Sequence, residues 1–432
     1  MIDVNIAERL TLPLFKLIQD VGEEIHQPVY VVGGWVRDLF LERASKDVDI
    51  VTLGSGLALA EKLAEKLSHD VHVSYFKNFG TAMLRFQDWE IEFVGARKES
   101  YSRNSRKPIV EDGSIEDDQK RRDFTINAMS ISLNKDTYGE LIDPFNGLED
   151  LNKKILRTPL DPEITFSDDP LRMMRAIRFA SQLQFEIDPE ALKAISKNTN
   201  RLQIVSAERI SEELNKIMMS NQPSVGFSLL FKSGLLNEIL PELADLHGVE
   251  EVNGMKHKDN FYHTLEVVDN VSRKSDNLWL RYAALFHDIG KAKTKKHHPK
   301  NGWSFHGHEY LGSKMVPLLF KRLRLPTDHK MRFVKKLVAL SSRPIALVSD
   351  DASDSGVRRL LFDAGDDIDN LMDLCEADIT TKNPVKMKRY LQNFQKVREK
   401  LKEVEEKDHV RNFQPPVDGN EIAVVFGIEP GR

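Results

Sequence analysis

The chain has 432 residues, 41% of them hydrophobic, a formal charge of −5 and one cysteine, Cys375. The length predicts roughly two to four domains, and the charge excludes a globally basic nucleic-acid binder, leaving any RNA contact to local basic patches. One cysteine excludes a disulfide framework. With no signal-peptide plan at the start and no apolar run long enough to span a bilayer, the expectation is a cytoplasmic protein with no membrane role.

In chain order, residues 3–26 place Ile6, Leu10, Leu14, Phe15, Ile18 and Val21 near helical spacing, as one or two amphipathic helices would. Val29 to Val32 reads as a short buried strand ended by Gly33-Gly34. Two glycines turn the backbone sharply and leave N–H groups uncovered for an anion such as a triphosphate. Leu39, Phe40 and Leu41 are expected on the buried side of the short helix that follows. Asp47 and Asp49, two apart on a second strand, point to one face. Carboxylates so placed suit Mg²⁺, and a pair of ions stabilises both the attacking and the leaving oxygen of an in-line phosphoryl transfer. A lone Gly-Gly turn or Asp-x-Asp is usually structural, but together in so short a span they are a sharper signal.

A helix is predicted over Leu57–Leu67, and strands over Val71–Phe76, Thr81–Phe86 and Glu90–Ala96, with Lys77-Asn78-Phe79-Gly80 as a turn. No G-x-G-x-x-G spacing is present, so this part reads as a small mixed α/β unit and not as a doubly wound dinucleotide fold. Glu92 is a candidate third carboxylate, with an edge glutamate facing water as the plainer reading. Ser102–Gln119 is polar without periodicity and reads as a loop. Arg97, Lys98, Arg103, Arg106 and Lys107 are its candidates for triphosphate or RNA backbone, or are plain solvated charge.

Arg121, Arg122 and Asp123 then set bidentate guanidinium donors beside an acceptor, suited to phosphate oxygens and ribose hydroxyls, and Asn127 adds an amide for a sugar hydroxyl. Asp143–Leu151, punctuated by Pro144 and Gly147, reads as a hinge. Asp168-Asp169-Pro170 is expected to open a helix carrying Arg172, Arg175 and Arg178. Asp169 and Arg172, three apart, are surface neighbours. An acceptor and a donor so paired match the amine and ring nitrogen of cytosine and adenine and mismatch uracil and guanine; helix-dipole and solvation roles are the plainer alternative. Arg209 and Glu213 are spaced for a bracing ion pair on a helix beginning near Ser206.

His257, His263, His287-Asp288 after the apolar helix Trp279–Phe286, His306, His308 and Asp378 form a second constellation, of which His263, His287-Asp288 and Asp378 are the stronger set. Imidazoles with carboxylates suit a transition metal (Mn, Fe, Co or Ni), or Mg at a looser site, and such a metal would supply a water for attack on a phosphoester. His308 is a candidate for extending the site to a second ion, while His297 and His298 read as ordinary surface histidines. From about Lys386 the mixed charges predict a solvated helix, broken at Gln414–Gly419.

Several of these runs carry a resemblance. Val29 to Asp49 resembles the signature of the polymerase-β-like nucleotidyltransferases, and RRDFTINAM (Arg121–Met129) matches nearly letter for letter the second motif of the tRNA nucleotidyltransferase/poly(A) polymerase family. DPFNGLEDL (Asp143–Leu151) is similar to that family's head-to-neck connection. Asp168–Arg172 resembles its E-D-x-x-R base template, with Asp168 in place of Glu, and ERISEEL (Glu208–Leu214) its fifth motif. The His…His-Asp…Asp order resembles the HD phosphohydrolase superfamily.

The resemblance implies a multidomain, mainly α protein. Its parts are a polymerase-β-like α/β nucleotidyltransferase head at 1–157, a helical neck binding RNA and nucleobase at 158–245, a helical HD domain at 246–400, and a tail at 401–432, truncated relative to the family. It implies template-independent addition of C, C and A to the 3′ end of tRNA from CTP and ATP, with pyrophosphate release and no obligate protein partner. Asp47 and Asp49 would be catalytic through Mg²⁺, and Gly33, Gly34, Arg37 and Asp38 would shape the triphosphate pocket. Arg121, Arg122, Asp123 and Asn127 would hold sugar and phosphates. Asp169 and Arg172 would read the base, supported by Asp168, with Arg175 and Arg178 also nucleotide-binding. His263, His287, Asp288 and Asp378 would be the metal ligands of the HD site. A poly(A) polymerase, an enzyme adding only A or only the Cs, a metal-dependent phosphohydrolase whose front half binds RNA, and a tRNA-binding scaffold remain open.

Overall fold

The computed structural model describes residues 6–67, 71–76, 80–102, 105–252, 254–300, 302–349 and 353–411. The expected turn at residues 77–79, Arg103, and the break at residues 414–419 lie outside them. The chain divides between Ile239 and Leu240 into two compact units.

The first unit opens with α1 (Ile6–Arg9) and α2 (Leu14–Glu24), whose stripe of Leu14, Phe15, Ile18 and Val21 is buried as the periodicity predicts. After β1 (Val29–Val32) comes α3 (Gly34–Phe40). It buries Trp35, Val36 and Arg37, while Leu39, Phe40 and Leu41 are only half-buried. The expectation there is corrected: the helix buries its first turns instead, where Trp35 packs edge-on against Phe15 with ring centroids 5.1 Å apart.

Next come β2 (Asp47–Thr52), α4 (Gly56–Lys66), β3 (His72–Phe76), β4 (Thr81–Phe86) and β5 (Trp89–Gly95). The stretch read as a loop is a separate hairpin, β6 (Arg97–Ser102) with β7 (Ser105–Asp112), followed by α5 (Ile115–Lys120). The sequence of the hairpin mixes charged and hydroxyl residues with no apolar alternation to betray it, and among the described residues the strand that contains Pro108 pairs with β6 alone. A capping box between Ser114 and Asp117 starts α5.

Two short strands, β8 (Ser130–Ser132) and β9 (Leu141–Ile142), complete a sheet of order β3-β4-β5-β2-β1-β8-β9. It is mixed: β2 and β5 are parallel, and the other neighbours antiparallel. Pleating sends Val48 and Ile50 of β2 into the core and Asp47, Asp49 and Val51 to the other face. On that second face Val32, Val51 and Ala96 pack with Tyr30, Val94 and Ile115, so α5 roofs its apolar end and leaves the acidic end open.

The segment read as a hinge is a turn that caps α6 (Gly147–Lys153): the Asp143 carboxylate accepts from the N–H groups of Gly147 and Leu148 at 2.7 and 2.9 Å. The remainder of the unit is helical: α7 (Pro162–Asp168), α8 (Leu171–Leu183), α9 (Pro189–Asn198), α10 (Ala207–Met218), α11 (Pro223–Ser233) and α12 (Leu235–Ile239). Strands β10 (Ile155–Leu156) and β11 (Glu186–Ile187) pair parallel among them. Asp168 closes α7 and does not open the next helix. Extended backbone at Asp169 and the proline after it separate the two.

The second unit contains α13 (Pro241–Ala244), the hairpin β12 (Glu251–Val252) with β13 (Met255–Lys256), and α14 (Asn260–Ser272), α15 (Leu278–Phe286) and α16 (Lys291–Thr294). The hairpin β14 (Lys296–His298) with β15 (Gly302–Ser304) follows, then α17 (His308–Arg322) to α22 (Pro384–Arg411). Between those two helices lie α18 (His329–Leu340), α19 (Arg343–Ser349), α20 (Asp354–Ala364) and α21 (Ile368–Ala377). Helix α15 is apolar on nearly every side and buried, with Tyr282 against Phe286 and Phe320. Helix α22 is not merely solvated: Phe394, Val397, Leu401 and Val404 form a buried stripe on it, and it continues past residue 400 without a break.

Candidate active site

Sheet register decides which acids gather. Parallel pairing sets Glu90 beside Asp47 and Glu92 beside Asp49. Glu90 is taken up by Arg85 at 2.7 Å, whereas Glu92 faces the Asp49 charge. Asp47 is exposed at the start of β2 and Asp49 is half-buried one pleat further in. Burial pushes the Asp49 carboxyl above the usual range; Arg122 opposes the rise and Asp47 adds to it. Desolvation and the Asp49 charge raise Glu92 likewise.

Gly33 explains why the strand ends on glycine. Its φ of 74° is left-handed, and a Cβ there would lie 2.8 Å from Arg122 Nη1 and 3.1 Å from Asp49 Oδ2. At Gly34 an added Cβ would meet only Arg37 Nη2 at 3.7 Å, an ordinary contact.

A relay of alternating charge runs behind the glycines. Arg37 donates from Nε and Nη2 to both oxygens of Asp38, each at 2.9 Å, and from Nη1 to Asn127 Oδ1 at 2.9 Å. Asn127 Nδ2 donates to Asp123 Oδ1 at 3.0 Å, and Arg175 Nε to Asp123 Oδ2 at 2.6 Å. Burial pushes the Asp123 carboxyl up, but Arg175 and the Asn127 amide pull it down to about 2. Phe179 lies under three guanidinium groups of the site: Arg37, Arg175 and Arg178 stand 5.1, 5.4 and 4.0 Å from its ring centroid.

Arg121 and Arg122 share one buried carboxylate, Asp118, and Arg172 Nη2 donates to the Arg121 carbonyl at 2.6 Å. Arg178 pairs with Glu213 at 2.5 Å. Glu213 therefore braces α10 against α8 and does not pair with Arg209 as expected, because the i−4 neighbour is out-competed by a buried guanidinium.

These groups line one cavity of about 500 Å³ within the first unit: Gly33, Gly34, Arg37, Asp49, Arg121, Arg122, Asp123, Asn127, Asp169, Arg172, Arg175 and Arg178 all reach it. Asp47, Asp38 and Asp168 do not line it. Phe179, Arg209, Glu212 and Lys216 do, and the sequence reading gave them no such place. A divalent cation suits Asp47 and Asp49: the two carboxylates share one face of β2, and Asp49 also lines the cavity.

The second unit holds a different centre. Ligand atoms of His263, His287 and Asp378 lie within 4.8 Å of one another. The His287 Nε2 is buried without a hydrogen-bond partner, 3.3 Å from Asp288 Oδ2 and 3.6 Å from Asp378 Oδ1. Each nearby imidazole is tied on its other nitrogen: His287 Nδ1 to the Ala284 carbonyl at 2.7 Å, His308 Nδ1 to the Phe305 carbonyl at 2.8 Å, and His263 Nδ1 to Thr380 Oγ1 at 3.0 Å. Their Nε2 atoms turn to the carboxylates, His308 to Asp288 Oδ1 at 3.4 Å and His263 to Asp378 Oδ1 at 2.8 Å. Imidazoles locked this way, with an orphaned buried nitrogen, fit a transition metal. His257 stands apart, bonded to the Glu250 N–H and the Lys258 carbonyl. Lys291, unremarked in the sequence, reaches Asp288 Oδ2 at 2.5 Å.

Three family models match in order: the poly A polymerase head domain over residues 29–157, the probable RNA and SrmB-binding site of polymerase A over 184–246, and the HD domain over 260–382. The chain is 33% identical over 314 residues to a multifunctional CCA protein of Shewanella frigidimarina (strain NCIMB 400), covering 70% of this chain and 71% of that one. It is 45% identical over 171 residues to an A-adding tRNA nucleotidyltransferase of Aquifex aeolicus (strain VF5), covering 40% of this chain and 20% of that one. A solved tRNA nucleotidyltransferase, complexed with a primer tRNA and an incoming ATP analog, is similar at 25% identity and a TM-score of 0.62, covering 88% and 99% of the two chains.

Proposed function

The chain belongs to the tRNA nucleotidyltransferase/poly(A) polymerase family and is a tRNA nucleotidyltransferase, and from that premise we infer that it adds C, C and A to the 3′ end of tRNA from CTP and ATP. The observation that carries this reading is the single cavity lined at once by Asp49, Arg121, Arg122, Asp169 and Arg172. Acid, phosphate donors and base-edge groups are what nucleotidyl transfer requires together.

In the transfer, the terminal 3′-oxygen bonds to the α-phosphorus of the incoming nucleotide, the bond from that phosphorus to its bridging oxygen breaks, and pyrophosphate leaves. Asp47 and Asp49 would hold Mg²⁺, which when bound offsets phosphate charge and eases loss of the hydroxyl proton. Arg121 and Arg122, fixed by Asp118, meet the phosphate oxygens with forked donors that cost little to orient. Asn127 and Asp123, held by Arg37 and Arg175, face the sugar. Asp169 and Arg172 accept from the amine and donate to the ring nitrogen of cytosine or adenine; uracil and guanine leave both groups unpaired. The duplex arm of tRNA is held by shape and phosphate contacts. The reaction belongs to the cytoplasm, and among the described residues no helix is long and apolar enough to cross a membrane.

Extension of a tRNA ending at its discriminator base tests the reading. Three added nucleotides, ending in CCA, are expected. A ladder of A would mean a poly(A) polymerase. A single A, added only to tRNA already ending in CC, would mean the A-adding reading that the similarity over 171 residues favours.

A second reading concerns the HD centre alone. The orphaned His287 Nε2 among His263, Asp288 and Asp378 supports a metal-dependent phosphohydrolase site. Purified protein is expected to carry Mn, Fe, Co or Ni and to gain thermal stability from it. His287→Ala should abolish both effects, and equal metal content in wild type and variant would overturn the assignment.

A further inference from the structure

Asp118 is fully buried within α5 and does not line the cavity, yet it holds two residues that do. Its Oδ1 accepts from Arg121 Nε and Nη2 at 2.9 and 2.5 Å, and its Oδ2 from Arg122 Nε and Nη2 at 3.1 and 2.9 Å. One carboxylate thus orients two forked guanidinium groups. Arg121 is fixed a second time by Glu99 Oε1 at 3.2 Å. The turn itself is pinned to the sheet by Gln119, whose amide donates to the Ile142 carbonyl at 2.9 Å. With both side chain and turn immobilised, the Arg121 carbonyl points at α8 and accepts from Arg172 Nη2 at 2.6 Å.

We propose that Asp118 is a positioning residue for both halves of nucleotide recognition: it sets Arg121 and Arg122 for the phosphates and, through the Arg121 carbonyl, sets the rotamer of Arg172 for the base. Base selection is then not a property of α8 alone. Arg172 has one of its forked donors committed to the head, and the donors left over meet the base at an angle that this bond decides. If the turn at Arg121 loosens, Arg172 swings, and a uracil edge is no longer rejected by a fixed unpaired donor.

The inference rests on the reading of Arg172 as the base-edge donor, and the test separates the two. Asp118→Asn keeps the shape and removes the charge. It is expected to raise KM for CTP and ATP roughly tenfold or more and to lower the preference for CTP over UTP by a comparable factor, the size of a lost charged hydrogen bond. A purely structural role predicts a lower melting temperature with KM and selectivity unchanged. Ser114→Ala, which weakens the α5 cap outside the cavity, should give only that pattern. Should Asp118→Asn not fold, Glu99→Gln removes one partner of Arg121 and is expected to shift KM and selectivity in the same direction by less. Folded Asp118→Asn or Glu99→Gln with wild-type KM and selectivity overturns the inference. Arg172→Ala with wild-type selectivity overturns the reading beneath it.

Discussion

Asp123 is buried, with one carboxylate oxygen on Arg175 and the other on the Asn127 amide and the Phe124 N–H. Its pKa of about 2 lies below the ordinary 3.8. A carboxyl depressed by folding stabilises the fold above pH 4, and the contribution disappears as pH falls from about 4 to about 2, on the order of 2 kcal/mol in all. Wild type should lose about that much more stability than Asp123→Asn across the window, read as urea midpoints at each pH. Parallel curves would contradict the assignment. At this scale the sequence was informative about which residues gather around one cavity and silent about their partners. Arg121, Arg122, Asp123 and Asn127 were legible because forked donors beside an acceptor suit phosphate and sugar. Asp118 stands three and four residues before the arginines it binds, a spacing visible in the chain. Its choice over solvent follows only from burial, as does the choice of Arg178 by Glu213.

Among elements, those with one apolar face were readable. The helices around Leu14–Val21 and Leu57–Leu67 and the strands from Val29 to Gly95 carry the period that burial imposes. The β6–β7 hairpin was not, since a mostly polar sequence leaves period two without contrast. Helix α22 hid its stripe for the opposite reason: Phe394, Val397, Leu401 and Val404 are diluted among charges over a long helix. Leu401, 5% exposed, is buried on α22, a helix that packs against α19, α20 and α21. Leu401→Ala should therefore lower the melting temperature of the second unit by roughly 5 °C or more, the cost of a buried leucine with its cavity. A change within error would mean the helix is as solvated as its composition suggests.

At the scale of the whole chain, two compact units hold two clusters built from different side chains. The first sets carboxylates against arginines around a cavity of about 500 Å³; the second turns imidazoles onto carboxylates. A net charge of −5 gave no sign of the first, because its guanidinium groups are drawn from α3, the turn after α5, α8 and α10 and are gathered only by folding. The most direct measurement is single-turnover extension of tRNA ending at its discriminator base, with Mg²⁺, CTP and ATP, by wild type, Asp47→Ala and Asp49→Ala. Wild type should stop at CCA, and each variant should bind the tRNA but transfer nucleotide roughly a thousandfold more slowly or worse. Variants that extend tRNA at the wild-type rate, or a wild type that binds tRNA and extends nothing, would contradict the account.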